Sequence, residues 1–444
     1  MPSEGPGLGP GAARKVHPSS EVVAVAFSGG LDSAALLHAT ARAAAGRQVV
    51  ALHVHHGLQP QADDWAAHGE RVARDLGVGF ACTRLSGSPA PGDSIEAWAR
   101  AGRHRALHDM SVAAGADLLL LAHHRRDQAE TFLLQALRGA GVAGLSAMPR
   151  AQWRDGLCWA RPWLDRPRTA ILAYAEQHGL HWIEDPSNGD VRFARNRLRQ
   201  SLWPAFPAAE AGLAQAARWA QQAADLAAEV AAADLAGLST PGRLDLAAWA
   251  RLSPARASNA LRAWLSGHTA VPASLVVRAQ AEWRPGATLS WPAPGGALHA
   301  WRDGLFWEPR SGRPPGPVVL DLSSPGCHPQ PGWGGAWVVE AATPGILPAR
   351  LARLTQQGRP GAAQFQRAPA SVPRSLKKAC QEAGLPPWRR GGPLLFDADQ
   401  RLIAVAGLGM DARAFANQDE PQLALRWLED SALPQSEGEG RVGA

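Results

Sequence analysis

Apolar runs and amphipathic segments alternate along residues 19–205. Short apolar runs are typical of buried strands, and apolar positions three to four residues apart are typical of helices. This pattern predicts strands at Val22–Phe27, Val49–His55, Gly79–Leu85 and Leu118–Ala122, and helices at Ser33–Ala45, Ala62–Leu76, Ile95–Ala114 and Asp127–Leu137. Such alternation favours a doubly wound, mostly parallel α/β sheet. Ligands of these sheets bind at the carboxyl ends of the strands. A glycine turn and the pairs His55-His56 and His123-His124 fall there.

The pattern changes after residue 205. A long alanine-rich helix is predicted over Ala208–Leu238, and proline and glycine become dense over residues 311–335. Proline and glycine interrupt regular structure, so this stretch is predicted to be a linker. We therefore predict a disordered N terminus (1–18), a catalytic α/β domain (19–205), a helical middle domain (206–312), a linker (313–335), a small α+β C-terminal domain (336–430) and a disordered tail (431–444).

Composition adds constraints on partners and location. The 444 residues carry a formal net charge of +6, which favours a polyanionic partner. The four cysteines are scattered without a C-x-x-C pair, which argues against a disulfide framework and a zinc site. The sequence has neither an apolar stretch that would span a membrane nor an apolar signal-peptide core. We expect no membrane association and a cytoplasmic location.

The turn Ser28-Gly29-Gly30-Leu31-Asp32-Ser33 joins the first predicted strand to the first predicted helix. Glycine lets backbone N–H groups approach a ligand closely, and a helix N terminus favours an anion. The turn matches neither a Walker A loop nor a dinucleotide fingerprint. A carboxylate inside an anion site indicates a metal ion beside phosphates, so Asp32 is a candidate magnesium ligand. A turn without a ligand is the alternative interpretation.

The turn resembles the S-G-G-x-D-S loop of the PP-loop ATP pyrophosphatases, and other segments narrow the resemblance. They are HHRRDQAET at 123–131, EDPSN at 184–188, RNRLR at 195–199, SLKK at 375–378, GLPPW at 384–388 and IAVAGLG at 403–409. Together they resemble the long, three-domain form of the tRNA(Ile)-lysidine synthetases.

The resemblance implies a reaction in two steps. ATP activates C2 of the wobble cytidine in the CAU anticodon of tRNA(Ile) by adenylating its O2, with release of pyrophosphate. Free L-lysine then displaces AMP to form lysidine, and decoding changes from AUG to AUA. ATP and Mg²⁺ are the implied cofactors, tRNA(Ile) and L-lysine the implied partners, and homodimer formation stays open. The implied ATP-binding residues are Ser28, Gly29, Gly30, Leu31, Asp32, Ser33 and His55.

Two acidic residues, Asp127 and Glu130, lie three positions apart at the start of a predicted helix and so share one face. The resemblance implies that one carboxylate holds the α-amine of lysine and the other orients or deprotonates the ε-amine. The alternative is that both only stabilise the positive end of the helix dipole. Arg195 lies one turn from Arg199, and an arginine fork can clamp a carboxylate or the adenylate. We predict lysine binding by Asp127, Glu130, Arg195 and Asn196, and catalytic roles for Asp32, Asp127, Glu130 and Arg195.

Arg126 departs from the family pattern, which has an aspartate at this position. The change reverses the charge, and unit charges about 4 Å apart interact by roughly 4 kcal/mol at an effective dielectric near 20. Three explanations stay open: Arg126 points to solvent or to tRNA phosphate, another residue supplies the missing acid, or activity is reduced. The first is our prediction.

Basic residues are predicted to bind tRNA at two places. Arg100 and Arg103 are three positions apart on one predicted helix, and Arg374, Lys377 and Lys378 form a basic cluster in the C-terminal domain. Basic side chains commonly hold the RNA backbone while unstacked bases are recognised at their edges. A solvated basic surface is the alternative for both groups.

Three other functions are weighed against this one. A tRNA thiolase usually needs C-x-x-C pairs, which are absent. A PP-loop synthetase acting on a small molecule would not need the basic C-terminal domain. A non-catalytic tRNA-binding relative is favoured by Arg126 alone.

Overall fold

The computed structural model describes residues 21–55, 57, 61–87, 95–184, 189, 194–206, 208–240, 242–310, 315–359, 363–417 and 420–429. The disorder expected at 1–18 and 431–444 lies outside these ranges, as do His56 and motif residues 185–188. The chain forms two compact units, residues 1–231 and 232–444, and each is described by itself. Among the described helices, none has both the length and the hydropathy that crossing a membrane requires.

The first unit contains six strands and most of the long helices. The strands are β1 (Val22–Ala26), β2 (Gln48–His55), β3 (Gly79–Arg84), β4 (Leu118–Leu120), β5 (Ala151–Arg154) and β6 (Leu157–Ala160). The helices are α1 (Leu31–Ala43), α2 (Ala62–Asp75), α3 (Ile95–Ala113), α4 (Arg125–Leu137), α5 (Val142–Leu145), α6 (Arg168–Gln177), α7 (Ala194–Ala205) and α8 (Ala209–Leu238), which continues into the second unit.

The six strands form one sheet in the order β3-β2-β1-β4-β6-β5. All neighbouring strands are parallel except the β5–β6 pair. The predicted α/β class is therefore confirmed. Strand β2 lies on one side of β1 and β4 lies on the other, so the strand order reverses direction at β1. Such a reversal opens a crevice between the carboxyl ends of β1 and β4. The segments that follow these two strands carry the predicted site.

Strand β1 is apolar throughout because both faces of the sheet are covered. Ala24 and Ala26 belong to the core on one face, and Val25 and Phe27 belong to the core on the other. This central position fixes where the glycine turn after β1 emerges.

The second unit is richer in strands than in helices. Its strands are β7 (Ser239–Thr240), β8 (Arg243–Asp245), β9 (Leu289–Ala293), β10 (Gly296–Trp301), β11 (Gly304–Pro309), β12 (Val318–Leu320), β13 (Gly326–Gln330), β14 (Gly335–Ile346), β15 (Leu354–Gln357), β16 (Gln364–Phe365), β17 (Arg374–Ser375), β18 (Leu394–Phe396), β19 (Leu402–Val405), β20 (Gly409–Met410) and β21 (Leu423–Glu429). Its helices are α9 (Leu246–Trp249), α10 (Pro254–Ser266), α11 (Ala273–Glu282), α12 (Pro348–Leu351) and α13 (Leu376–Glu382).

Two expectations for the middle of the chain need correction. The helical region is present, but strands β7 to β11 add a five-stranded sheet to it. The segment predicted as a linker contains β12 and β13, which pair with β15 and β14. Both are edge strands, where proline is tolerated because one side of the strand needs no hydrogen bonds. The density of proline and glycine therefore marked sheet edges.

Candidate active site

The turn after β1 is closed by its two serine side chains. The Ser28 backbone N–H donates to Ser33 Oγ at 3.2 Å, the two hydroxyl oxygens lie 3.1 Å apart, and Ser33 Oγ donates to Gly30 O at 2.9 Å. Helix α1 begins at Leu31, directly after this turn. The turn therefore presents a helix N terminus at the carboxyl edge of the sheet, which is suited to an anion.

Gly29 is required by both conformation and space. Its φ is +85°, in the region that favours glycine, and an added Cβ would lie 3.3 Å from Ile183 Cδ1. The Ile183 backbone N–H donates to Gly29 O at 2.9 Å. The turn is thus held from outside by the segment that follows α6.

Asp32 lies in the first turn of α1 and points toward the loop after β4. Its Oδ2 is 3.7 Å from His124 Nε2, and its Oδ1 is 3.8 Å from Arg168 Nε. Burial raises the pKa of Asp32, while His124 and Arg168 offset part of this effect. Its Oδ1 is buried and has no hydrogen-bond partner among the described residues. This oxygen is therefore available to a cation.

Magnesium fits this position through one protein ligand. The described residues contain no group of three or more His, Cys, Asp or Glu side chains placed to hold a metal ion. Magnesium in nucleotide sites commonly takes one or two carboxylates and completes its shell with phosphate oxygens and water. The Asp32 carboxylate beside an anion-binding turn matches that donor set.

Behind Asp32, helices α4 and α7 bring together two buried carboxylates and two arginines. Arg199 Nε donates to Glu130 Oε1 at 2.8 Å, and its Nη2 donates to Asp127 Oδ1 at 3.1 Å. Arg195 Nε lies 3.1 Å from Glu130 Oε2, and Trp203 Nε1 donates to Glu130 Oε1 at 3.2 Å. Residues 195, 199 and 203 are spaced four apart, so they share one face of α7.

Asp127 has a structural role as well as a position in this cluster. The His124 backbone N–H donates to Asp127 Oδ2 at 3.1 Å, which satisfies a group at the start of α4. Burial alone raises the pKa of Asp127, but His124, His123 and Arg195 together hold it below its usual value. Asp127 therefore stays a carboxylate at neutral pH. Asp127 therefore stabilises the N terminus of α4, as the alternative interpretation expects. It also forms an ion pair with Arg199 of α7.

Glu130 retains acceptor capacity. The side chain is fully buried. Its Oε2 lies beside Arg195 but accepts no hydrogen bond from any described residue. The Arg195 guanidinium donates through Nη2 to Thr131 Oγ1 at 2.9 Å. An ammonium group that reached Glu130 would thus find an acceptor oxygen.

Arg126 is directed away from these carboxylates. Its Nε donates to Glu210 Oε2 at 3.0 Å, and its guanidinium lies 5.5 Å from the centre of the Trp203 ring. Our expectation that Arg126 points to solvent is therefore wrong, and its contact with tRNA phosphate stays a prediction. A carboxylate of α8 neutralises it inside the first unit.

A basic cavity of about 250 Å³ lies next to the carboxylates. Its lining includes Arg100, Arg103, His104, His123, Trp159, Arg161 and Arg195. Four of these residues carry buried nitrogen atoms without a hydrogen-bond partner among the described residues: His123 Nδ1, Trp159 Nε1, Arg161 Nε and Arg195 Nε. Convergent cations and unused donors are suited to a carboxylate or a phosphate.

Burial and mutual repulsion depress the pKa values in this cavity. The pKa of His123 falls to about 3 and that of His104 to about 4, chiefly through burial, with neighbouring arginines adding to both effects. The pKa of Arg161 falls to about 10 for the same reasons. Both imidazoles are therefore neutral at pH 7, and an anion would relieve the repulsion among the arginines.

Two other predicted site residues in this unit have different surroundings. His55, at the end of β2, accepts from the Gly57 N–H through Nδ1 at 3.1 Å and lies 3.1 Å from Asp63 Oδ1 through Nε2. Since both ring nitrogens are engaged, a nucleotide contact would involve the ring face or the backbone. Asn196 is buried on α7 beside Arg195.

The predicted tRNA-binding residues of the second unit lie on its surface. Arg374, Lys377 and Lys378 are all exposed. Arg374 Nε is 3.9 Å from Glu382 Oε1, and Ser375 Oγ accepts from the Lys378 N–H at 3.4 Å at the start of α13. The cluster is accessible to a polyanion.

Sequence reasoning missed several residues of the site. Trp203 follows Arg195 and Arg199 at the same spacing, so the periodicity of α7 is a signal that could have found it. Arg161 follows β6, and Glu210 lies 84 residues after Arg126. Neither has a local pattern that points to the site.

Comparison with known proteins places this geometry in a family. A PP-loop domain model matches residues 12–206, a TilS substrate binding domain model 244–306, and a TilS substrate C-terminal domain model 354–427. The chain is 44% identical to tRNA(Ile)-lysidine synthase of Ralstonia nicotianae, over 89% of this chain and 90% of the relative. It is 40% identical to the enzyme of that name from Pseudomonas aeruginosa (87% and 90%) and 36% identical to that of Burkholderia pseudomallei (93% and 94%). These matches confirm the predicted family and an ATP-using PP-loop ligase that modifies tRNA: the chain belongs to the tRNA(Ile)-lysidine synthases.

Proposed function

We propose that this enzyme joins L-lysine to C2 of the wobble cytidine in the CAU anticodon of tRNA(Ile) through an adenylated tRNA. One observation carries the proposal. The turn at 28–33 and the buried cluster of Asp127, Glu130, Arg195 and Arg199 meet at one edge of the sheet through Asp32 and His124. An anion site thus adjoins a site with carboxylates for an amine.

In the first step, cytidine O2 attacks the α-phosphorus of ATP and pyrophosphate leaves. The backbone N–H groups at the start of α1 would bind the phosphates. Magnesium, held by Asp32, would supply positive charge as negative charge develops on the phosphates. Asp32 therefore acts in adenylation.

In the second step, the ε-amine of lysine attacks C2, and the C2–O2 bond breaks as AMP leaves with that oxygen. Asp127 stays ionised and would hold one ammonium group. Glu130 Oε2 is ion-paired with Arg195 but accepts no hydrogen bond among the described residues, and it would accept one from the other ammonium group. The basic cavity, with Arg195 at its border, would take the α-carboxylate. The amine loses its proton to a carboxylate of this cluster.

The tRNA would extend over both units. Arg100 is exposed beside the cavity, and Arg374, Lys377 and Lys378 form the exposed cluster of the second unit. We propose that these residues bind the RNA backbone. The proposed substrates also imply a cytoplasmic location. Homodimer formation stays a prediction, which light scattering on the purified protein would check.

The intermediate gives a direct test. We expect ATP labelled at the α-phosphorus to transfer its label to tRNA with a CAU anticodon when lysine is withheld, and added lysine to release the label as AMP. The Asp127→Asn variant should form the labelled tRNA, but added lysine should release the label as AMP only slowly. Cleavage of ATP to ADP, or no label on the tRNA, would contradict the proposal.

A further inference from the structure

Two adjacent arginines begin α4, where they are electrostatically out of place. Arg125 and Arg126 occupy the first turn, and the N terminus of a helix repels positive charge. They also directly precede Asp127, whose carboxylate belongs to the buried cluster. A flexible guanidinium at this position can compete with a substrate ammonium for Asp127 and Glu130.

Glu210 binds both arginines. Arg125 Nε donates to Glu210 Oε1 at 2.9 Å, and Arg126 Nε donates to Oε2 at 3.0 Å. The Glu210 side chain is only 9% exposed, whereas the two arginines are about one third exposed. Each carboxylate oxygen therefore serves one arginine in a partly desolvated site, where charge-assisted hydrogen bonds are strong.

Trp203 connects this pair to the buried cluster. The Arg126 guanidinium lies over the indole ring at 5.5 Å, and the indole N–H donates to Glu130 Oε1 at 3.2 Å. Trp203 is 8% exposed, so its ring has little freedom to move. A displaced Arg126 would change the packing that holds the indole, and with it the Glu130 carboxylate.

We propose that Glu210 is a positioning residue for the lysine step, which rests on the function proposed above. It holds Arg126 against Trp203 and keeps that guanidinium out of the carboxylate cluster. Glu130 then keeps its orientation, and its Oε2, which accepts no hydrogen bond among the described residues, stays available to the amine. Glu210 touches neither Asp32 nor the turn at 28–33 in the contacts of the described residues, so adenylation does not depend on it.

The test compares Glu210→Gln with Glu229→Gln, which removes an exposed carboxylate from the same helix. We expect Glu210→Gln to raise the KM for lysine about tenfold, since small misplacements of binding groups have large kinetic effects. The KM for ATP and the lysine-independent labelling of tRNA should stay within twofold of wild type. Glu229→Gln should leave all three unchanged.

Neutralising Arg126 distinguishes positioning from folding. In the double variant Arg126→Gln/Glu210→Gln no guanidinium at 126 competes for the cluster, so we expect the KM for lysine to recover the part of the loss that this competition causes, while the part that comes from lost packing against Trp203 stays. A KM for lysine that stays at the wild-type value in Glu210→Gln, or rises without recovery in the double variant, overturns the role of Glu210. A wild-type enzyme that forms no lysine-dependent product overturns the proposed function, and the lysine step with it.

Discussion

Glu130 offers the sharpest test of the buried cluster, through the substitution Glu130→Gln. The variant keeps the shape of the side chain and removes its charge. Arg199 at 2.8 Å and Arg195 at 3.1 Å then lose their fully buried partner, although Arg199 keeps Asp127. Removing one member of a buried ion pair costs about 3–5 kcal/mol. Because glutamine still accepts one hydrogen bond, we expect the free energy of unfolding to fall by about 3 kcal/mol.

Glu70→Gln is the matched control. Glu70 pairs with Arg74 at 3.2 Å, a comparable distance, but both side chains are more than half exposed. An exposed pair one helical turn apart contributes about 0.3–0.5 kcal/mol. Urea unfolding followed by circular dichroism at neutral pH measures both changes. Equal and small losses in the two variants would refute the view that burial makes the Glu130 cluster strong.

Three further substitutions test the turn, the cavity and its titration. Gly29→Ala should cost about 1–2 kcal/mol of strain and raise the KM for ATP, whereas Gly46→Ala, with a similar φ of +90° and open space around it, should cost stability alone. Arg161→Gln should raise the KM for lysine about tenfold, because it removes a charge-assisted contact with the α-carboxylate, whereas Arg154→Gln, which changes an exposed arginine, should not. An unchanged KM for lysine in Arg161→Gln would exclude the cavity as the carboxylate site. The pKa of His104 is about 4 in the folded protein, chiefly because of burial, against 6.5 for an ordinary histidine. The unfolded chain therefore binds more protons between these values, and wild-type stability falls as the pH decreases from 6.5 to 4. Since the ring is partly solvated, we expect this loss to be about 1–2 kcal/mol and smaller in His104→Tyr, measured by unfolding at pH 7 and pH 5; identical losses in both proteins would contradict the assignment.

The first unit was predictable because its signals are local. The apolar run at 22–27 and the glycine turn after it identify a central strand and a ligand site without knowledge of distant contacts. The same holds for Asp127 and Glu130, whose spacing places them on one helix face. The β5–β6 hairpin, whose strands are four residues long, was missed.

Other features depend on contacts between distant segments. The prediction that Arg126 points to solvent was wrong because its partner, Glu210, lies 84 residues away on another helix, and no periodicity links them. The strands at 318–320 and 326–330 were read as linker, since proline and glycine density does not distinguish an edge strand from a loop. Long-range pairing decided both cases, and a single sequence carries no local record of it.

We propose above that one site uses ATP to transfer lysine onto the wobble cytidine. To test this directly, the enzyme is incubated with ATP, Mg²⁺, isotopically labelled L-lysine and a tRNA(Ile) transcript carrying the CAU anticodon. The nucleosides of the tRNA are then analysed by mass spectrometry. We expect labelled lysidine in place of one cytidine, and none when ATP is left out or when the wobble cytidine is replaced by uridine. An unmodified cytidine in the complete reaction, while ATP is consumed, would contradict it.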